Sequence, residues 1–164
     1  MEFPKLLEEA GDDYNKIFKL AKKLVREKLN LSRGSMLLGI TYTSPNIGAY
    51  HTVGSNAMIL NQTVIDAIKL ITKNKIEINS YIFVVLLHEY LHSLGYLSER
   101  EVRPLTLKLC SEAFGPDHPT TKMALDPFSY FPNLLAVLSR VKIPAVSKVT
   151  YIGNFDDESA RFYL

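Results

Sequence analysis

Several residue types are scarce in this sequence of 164 residues, and each scarcity argues against a class of protein. Tryptophan is absent, and cysteine occurs once, as Cys110. A single cysteine cannot form an internal disulfide, so a small secreted fold held together by disulfides is excluded. The formal net charge is only +2, which is too small for the basic surface typical of nucleic-acid-binding domains. We therefore expect no nucleic-acid partner.

Long apolar runs are also missing. The longest run, Tyr81 to Leu87, is interrupted by a histidine and a glutamate, whereas a membrane-spanning helix needs about 20 apolar residues. The first residues lead into a charged segment and lack the apolar core of a signal peptide. We expect a soluble, cytoplasmic protein with no membrane partner, folded as one domain over residues 1–164.

The first half of the chain predicts a helix followed by a small sheet. Apolar residues recur at helical spacing over residues 12–29, where Asp12 or Asp13 can cap the helix. Segments rich in β-branched residues and separated by turn residues predict three strands, at residues 36–43, 47–53 and 57–60. Asn61 or Thr63 can then start a second helix, which reaches Ile71.

The second half of the chain predicts a series of helices. The first of them begins at Asn79 or Ser80 and ends near Gly95. Three further helices are predicted over residues 98–114, 120–125 and 133–140, the first of them with a capping-box pattern at its start. Residues 149–152 can form a short strand, and a mobile tail follows from Phe155.

These segments together predict an α+β fold. Residues 1–95 contain the N-terminal helix, a small, mostly antiparallel sheet and a central buried helix. Residues 96–142 form a helical C-terminal part, and residues 143–164 form a tail. The order of the strands in the sheet and the oligomeric state are not readable from the sequence.

The central helix carries the segment His88-Glu89-Tyr90-Leu91-His92, which has the pattern H-E-x-x-H. On a helix, His88 and His92 are one turn apart on the same face, so their imidazole nitrogens can converge on one Zn²⁺ ion. Glu89 lies beside that position and can accept a proton from a water molecule. With four histidines in the chain, this pattern is expected by chance only about 0.006 times.

This segment resembles the zinc-binding motif of the zincin metallopeptidases. The resemblance implies that His88 and His92 bind zinc, that Glu89 is the general base, and that the substrate is a peptide or a protein. Zincins also place an antiparallel edge strand above the cleft, and residues 47–53 match that strand best. A residue that would stabilise the oxyanion is not singled out, since Tyr96, Tyr130 and His51 are all candidates.

A catalytic zinc ion normally has three protein ligands, and the motif identifies only two. The third ligand has several candidates. The metzincin pattern is matched as far as Gly95, but its ligand position is Ser98, with Glu99 one residue later. Glu112 lies at a spacing that gluzincins use. His118, between turn-forming prolines, resembles the loop histidine of minimal zincins. We prefer His118, because imidazole is a good zinc ligand at neutral pH; Glu99 and Glu112 remain alternatives.

Two further hypotheses concern the function. Because Ser98 departs from the metzincin pattern, the chain could be a zincin-like module that binds a metal or a partner with little or no proteolysis. The segment 148–164, with Asp156-Asp157-Glu158, could also lie in the cleft and present a carboxylate to the metal.

Overall fold

The fold is described from a computed structural model, which defines residues 2–44, 49–51, 55–145 and 147–156. Eight helices lie within these residues: α1 (Glu2–Glu9), α2 (Tyr14–Leu29), α3 (Gln62–Ile71), α4 (Lys75–Ser93), α5 (Glu99–Phe114), α6 (Pro119–Leu125), α7 (Pro127–Tyr130) and α8 (Leu134–Leu138). Four strands accompany them: β1 (Leu37–Thr41), β2 (Ala49–His51), β3 (Ala57–Asn61) and β4 (Thr150–Tyr151). The predicted α+β class is confirmed.

The four strands form one mixed sheet in the order β2-β3-β1-β4. The longest pairing is parallel and joins β1 to β3, from Leu37 opposite Ala57 to Thr41 opposite Asn61. The pairings of β2 with β3 and of β4 with β1 are antiparallel but shorter. The prediction of a mostly antiparallel sheet is therefore corrected to a mixed one. The physical reason is that β2 comes between β1 and β3 in the chain. Because β3 runs antiparallel to β2, it can lie parallel to β1.

The helix α4 lies at the centre of the molecule. It packs against helices α1, α2, α3, α5 and α6 and against strands β2 and β3. The side chains of Phe83, Leu87, Tyr90 and Leu91 are fully buried. The ring of Tyr90 meets that of Phe18 on α2 edge-on, with centroids 5.2 Å apart. This packing on several sides fixes the orientation of the helix that carries the H-E-x-x-H segment.

The start of α4 differs from the prediction. The helix is capped five or six residues earlier than expected, because Asn74 accepts hydrogen bonds from the amides of Ile76 and Glu77. Asn79 and Ser80, the predicted caps, are buried inside the helix. The Asn79 amide donates to the carbonyl of Leu7, so it joins α4 to α1 instead of capping α4.

The mobile tail predicted from Phe155 does not begin at that residue; residues 157–164, the rest of the predicted tail, lie outside the described residues. Thr150 and Tyr151 form β4 beside β1, within the predicted strand. Phe155 stacks on Phe18 with a centroid distance of 4.9 Å. Asp156 is buried and accepts a hydrogen bond of 2.6 Å from Lys22. Phe155 and Asp156 are therefore part of the packing around α2, while Thr150 and Tyr151 extend the sheet beside β1 with exposed side chains.

No helix within the described residues is long and apolar enough to cross a lipid bilayer.

Candidate metal centre

The helix α4 brings His88 and His92 together, as the spacing of the two residues predicts. Their Nε2 atoms are 3.2 Å apart, and their ring centroids are 4.9 Å apart. Tyr90 lies on the opposite side of the helix and is fully buried. Because this residue anchors the helix in the core, both imidazoles are directed away from it towards the same point.

Glu99 joins the two histidines because the chain turns sharply after α4. Gly95 has a φ angle of +110°, which an L side chain rarely adopts, so the glycine allows this turn. Ser98 then caps α5 by accepting a hydrogen bond from the amide of Arg100, as predicted. Glu99 is the first residue of α5, and its Oε1 lies 2.6 Å from His92 Nε2 and 3.0 Å from His88 Nε2.

His118, the preferred third ligand, is not brought to the two histidines. Its Nδ1 accepts a hydrogen bond of 3.1 Å from the amide of Thr120, so the side chain caps α6. Its ring packs on Phe114, with centroids 4.7 Å apart. Among the three candidates, it is Glu99 that lies beside the two histidines. The reason is that α5 begins beside His92, whereas the loop before α6 is bound to its own helix.

Glu112, the other alternative, is also elsewhere. It lies 3.7 Å from Lys28 Nζ in a pair that is about 40% exposed on both sides. This is an ordinary surface ion pair, and such pairs contribute little to stability.

Two hydrogen bonds orient the ligand atoms of this cluster. His92 Nδ1 lies 2.7 Å from the carbonyl oxygen of Tyr96; a carbonyl only accepts, so Nδ1 is the donor, and this bond directs Nε2 towards His88 and Glu99. Arg103 Nε donates to Glu99 Oε2 at 3.1 Å, which leaves Oε1 facing the histidines. Sequence reasoning missed both partners. The spacing of four residues between Glu99 and Arg103 indicates their contact on a helix, whereas no sequence signal identifies a backbone carbonyl.

The pKa values of the cluster follow from burial and from neighbouring charges. Glu89 is only 6% exposed, and burial raises its pKa to about 7, an effect that the charge of His92 opposes. Burial lowers the pKa of His88. Burial also acts to raise the pKa of Glu99, but the bonds and charge of His88, with the bonds of His92 and Arg103, lower it to about 2. At neutral pH the cluster therefore holds an ionised Glu99 beside an uncharged His88.

His88, His92 and Glu99 form a donor set that could hold a metal ion, since one atom from each lies within 4.8 Å of the others. Two imidazoles and one carboxylate are ligands that suit zinc and leave room for a water molecule. Donor atoms bound to a tetrahedral zinc ion are about 3.3 Å apart, so the contacts of 2.6–3.2 Å need to widen only slightly. The residues therefore fit the ion that the motif implies.

A cavity of about 960 Å³ adjoins the cluster and is lined by His88, Glu89 and Glu99. Its walls come mainly from α4, α5 and α6, with α7 and α8 closing one end. Ala49 of β2 also lines it. The volume lies at the upper end of the range found for small-molecule and peptide pockets, roughly 300–1,000 Å³.

Tyr96, Tyr130 and His51 are the candidates for stabilising the oxyanion. The hydroxyl of Tyr130 donates to Glu77 Oε2 at the start of α4, so it is engaged away from the two histidines. Tyr96 contributes its carbonyl to His92, as above. The side chain of His51 lies outside the described residues.

The C-terminal carboxylates are a separate hypothesis. Asp156 is bound to Lys22 and to the amide of Met36, and none of residues 147–156 lines the cavity. Asp157 and Glu158 lie outside the described residues.

Comparison with known proteins gave no match: no protein-family model, curated protein or solved structure is similar enough to this chain to indicate a relationship. The site is therefore interpreted from its own residues and geometry.

Proposed function

We propose that this protein is a zinc-dependent peptidase of zincin type, in which His88, His92 and Glu99 hold the metal and Glu89 is the general base. The observation that carries the proposal is the convergence of two imidazole nitrogens and one carboxylate oxygen within 3.2 Å, beside a buried glutamate. A surface cluster formed by chance gives no reason for the ordered Nδ1 of His92 or for the burial of Glu89.

Zinc bound at these residues supplies a Lewis acid, which polarises a carbonyl oxygen and makes a water molecule more acidic. Glu89 accepts the proton of the attacking water and later donates it to the departing amine. Glu89 is buried next to His88 and close to the other two residues of the cluster, which is the position that a general base for a metal-bound water needs. The net reaction adds one water molecule across a peptide bond and gives a carboxylate and an amine.

The sheet supports binding of an extended substrate. β2 lies at one edge of the sheet and runs antiparallel to β3, and among the described residues β3 is its single neighbour. Ala49 at the start of β2 lines the cavity. An extended peptide can pair with such an edge and lie beside the metal ligands.

The test replaces Glu89 by Gln, which keeps the size of the side chain and removes its ability to accept a proton. The expected result is that zinc content, measured by mass spectrometry of metals, stays at one ion per chain while peptide cleavage falls by about 10²–10⁴-fold. Glu112→Gln is the matched control and is expected to retain both properties.

Other outcomes separate the alternatives. Zinc bound by the wild-type protein, together with no cleavage of a diverse peptide pool, favours a metal-binding module. Failure to bind zinc at all, after purification without chelators, contradicts both functions.

A further inference from the structure

We infer that the cavity beside the cluster selects peptides with a large apolar side chain close to the bond that is cut. This inference rests on the proposed peptidase function and adds the class of substrate to it.

The floor of the cavity continues the face of α4 that carries His88. Val84 and Val85 lie one turn before His88, Tyr81 lies two turns before it, and all three line the cavity. The helical rise places Tyr81 about 10 Å from His88 along the helix axis. That distance corresponds to about three residues of extended peptide. A side chain close to the cut bond therefore lies over an apolar floor.

The opposite wall is also apolar. Leu107 of α5, Met123 and Leu125 of α6, and Phe128 of α7 line the cavity. Leu125 is 73% exposed and Phe128 is 37% exposed. Large apolar side chains exposed together beside a cleft are typical of a ligand-binding surface. A ligand side chain between the two walls buries this surface.

The charges in the cavity disfavour a charged side chain. Glu89, Glu99 and Asp126 line the cavity, and its arginine, Arg103, already donates to Glu99. An acidic side chain meets three carboxylates and one arginine, which is already bonded to Glu99. An ammonium group that lies over the apolar floor, away from these carboxylates, loses its hydration, which is costly. Leucine, methionine and phenylalanine incur neither cost.

The first experiment maps the cleavage sites of the zinc-loaded protein in a library of peptides, using mass spectrometry. Leucine, methionine and phenylalanine are expected to be enriched close to the cut bond, by about tenfold or more over alanine. Enrichment of acidic or basic residues there, or no enrichment at all, overturns the inference.

A variant tests whether this cavity is responsible. Ala124→Phe places a large side chain in the cavity wall, so the preference for large apolar residues is expected to fall by about tenfold. The matched control is Ala136→Phe, on the exposed face of α8, which should leave the preference unchanged. If Ala124→Phe does not fold, Leu107→Ala serves instead and is expected to weaken the preference. An unchanged preference in a folded cavity variant contradicts the inference.

Binding separates failure of this inference from failure of the proposed function. If the wild-type protein cuts no peptide, labelled alanine-based hexapeptides carrying Leu, Ala or Asp at one central position are titrated into the metal-free protein, and fluorescence anisotropy is recorded. The Leu peptide is expected to bind about tenfold or more tightly than the others. Equal affinities, tighter binding of the Asp peptide, or no binding of any peptide overturn the inference even without catalysis.

Discussion

At the scale of single residues, Glu99 connects His88 and His92 to the surface of α5. Its Oε1 faces both histidines, while its Oε2 accepts from Arg103. The side chain is 52% exposed, so neither burial nor core packing explains where it points. Its orientation follows from these polar contacts, which makes Glu99 the residue that separates a metal centre from a plain pair of histidines.

Replacing each of two candidate ligands, Glu99 and His118, by alanine tests this role. Glu99→Ala is expected to lower the affinity for zinc by at least about tenfold, since loss of even an indirect partner costs 10–100-fold. His118→Ala should leave the affinity unchanged and lower the free energy of unfolding by about 1 kcal/mol, because it removes the cap of α6. Zinc titration with a competing chelator and urea unfolding measure the two effects. Loss of zinc in His118→Ala, with Glu99→Ala unaffected, contradicts the assignment.

Glu89 carries a cost in stability in the metal-free protein. Its pKa is raised from an ordinary 4.5 to about 7 by burial, so folding favours its protonated form. The protonated form of Glu89 is accommodated in the folded protein at no such cost, so its contribution to the free energy of unfolding is highest at low pH. This contribution decreases as the pH rises from about 4.5 through 7. Full ionisation costs roughly 3 kcal/mol, from 1.36 kcal/mol for each pKa unit.

Glu89→Gln removes this cost. The variant is expected to be more stable than the wild-type protein at pH 8, by about 3 kcal/mol, and to lose most of that advantage at pH 4. Urea unfolding in the presence of a chelator measures the difference, with Glu112→Gln as the control. A variant that is less stable than the wild-type protein at pH 8 contradicts this expectation.

At the scale of elements, β4 lies against β1 at a position where an added side chain would meet close neighbours. A Cβ atom on Gly39 would lie 2.5 Å from Val149 Cγ1 and 2.7 Å from Ile59 Cδ1. Both distances are well below a van der Waals contact. A side chain at this position therefore requires the side chains of Val149 and Ile59 to move.

Gly39→Ala is expected to push residues 149–151 away from β1 and to lower the free energy of unfolding by about 1–3 kcal/mol, as overpacking does. Gly153→Ala is the matched control, because a Cβ atom there meets nothing within 4 Å. Amide hydrogen exchange of Ile152, whose N–H donates to the carbonyl of Leu38, reports the displacement directly. Equal protection in both variants contradicts it.

The elements also show why some features were predictable and others were not. The pairing of His88 with His92 follows from helical periodicity, and the caps of Asp13, Asn61 and Ser98 follow from short-range signals. The position of Glu99 depends on the turn angle between α4 and α5, which no local pattern specifies. The parallel pairing of β1 with β3 depends equally on contacts between residues far apart in the sequence.

At the scale of the whole molecule, the buried pair of Lys22 and Asp156 joins two segments 134 residues apart. Both residues are less than 10% exposed, and Asp156 also accepts from the amide of Met36 at 2.8 Å. Next to this pair, Phe155 stacks on Phe18, whose other neighbour is Tyr90 of α4. The C-terminal segment thereby supports the helix that carries the metal ligands, from the side away from the cavity.

Asp156→Ala is expected to lower the free energy of unfolding by about 3–5 kcal/mol, because it removes one partner of a buried ion pair. Asp12→Ala is the control: its contact with Lys75, at 3.5 Å, is about two-thirds exposed, and its loss should cost less than about 1 kcal/mol. Urea unfolding distinguishes the two. Similar small losses in both variants contradict the structural role of the C-terminal segment.

The measurement that tests the metal centre most directly is anomalous diffraction at the zinc edge from crystals of the zinc-loaded protein. The expected result is one zinc ion bound by His88 Nε2, His92 Nε2 and a carboxylate oxygen of Glu99, with Glu89 beside it but not bound to it. Zinc bound by His118 in place of Glu99, zinc bound elsewhere, or no bound zinc contradicts the proposed centre.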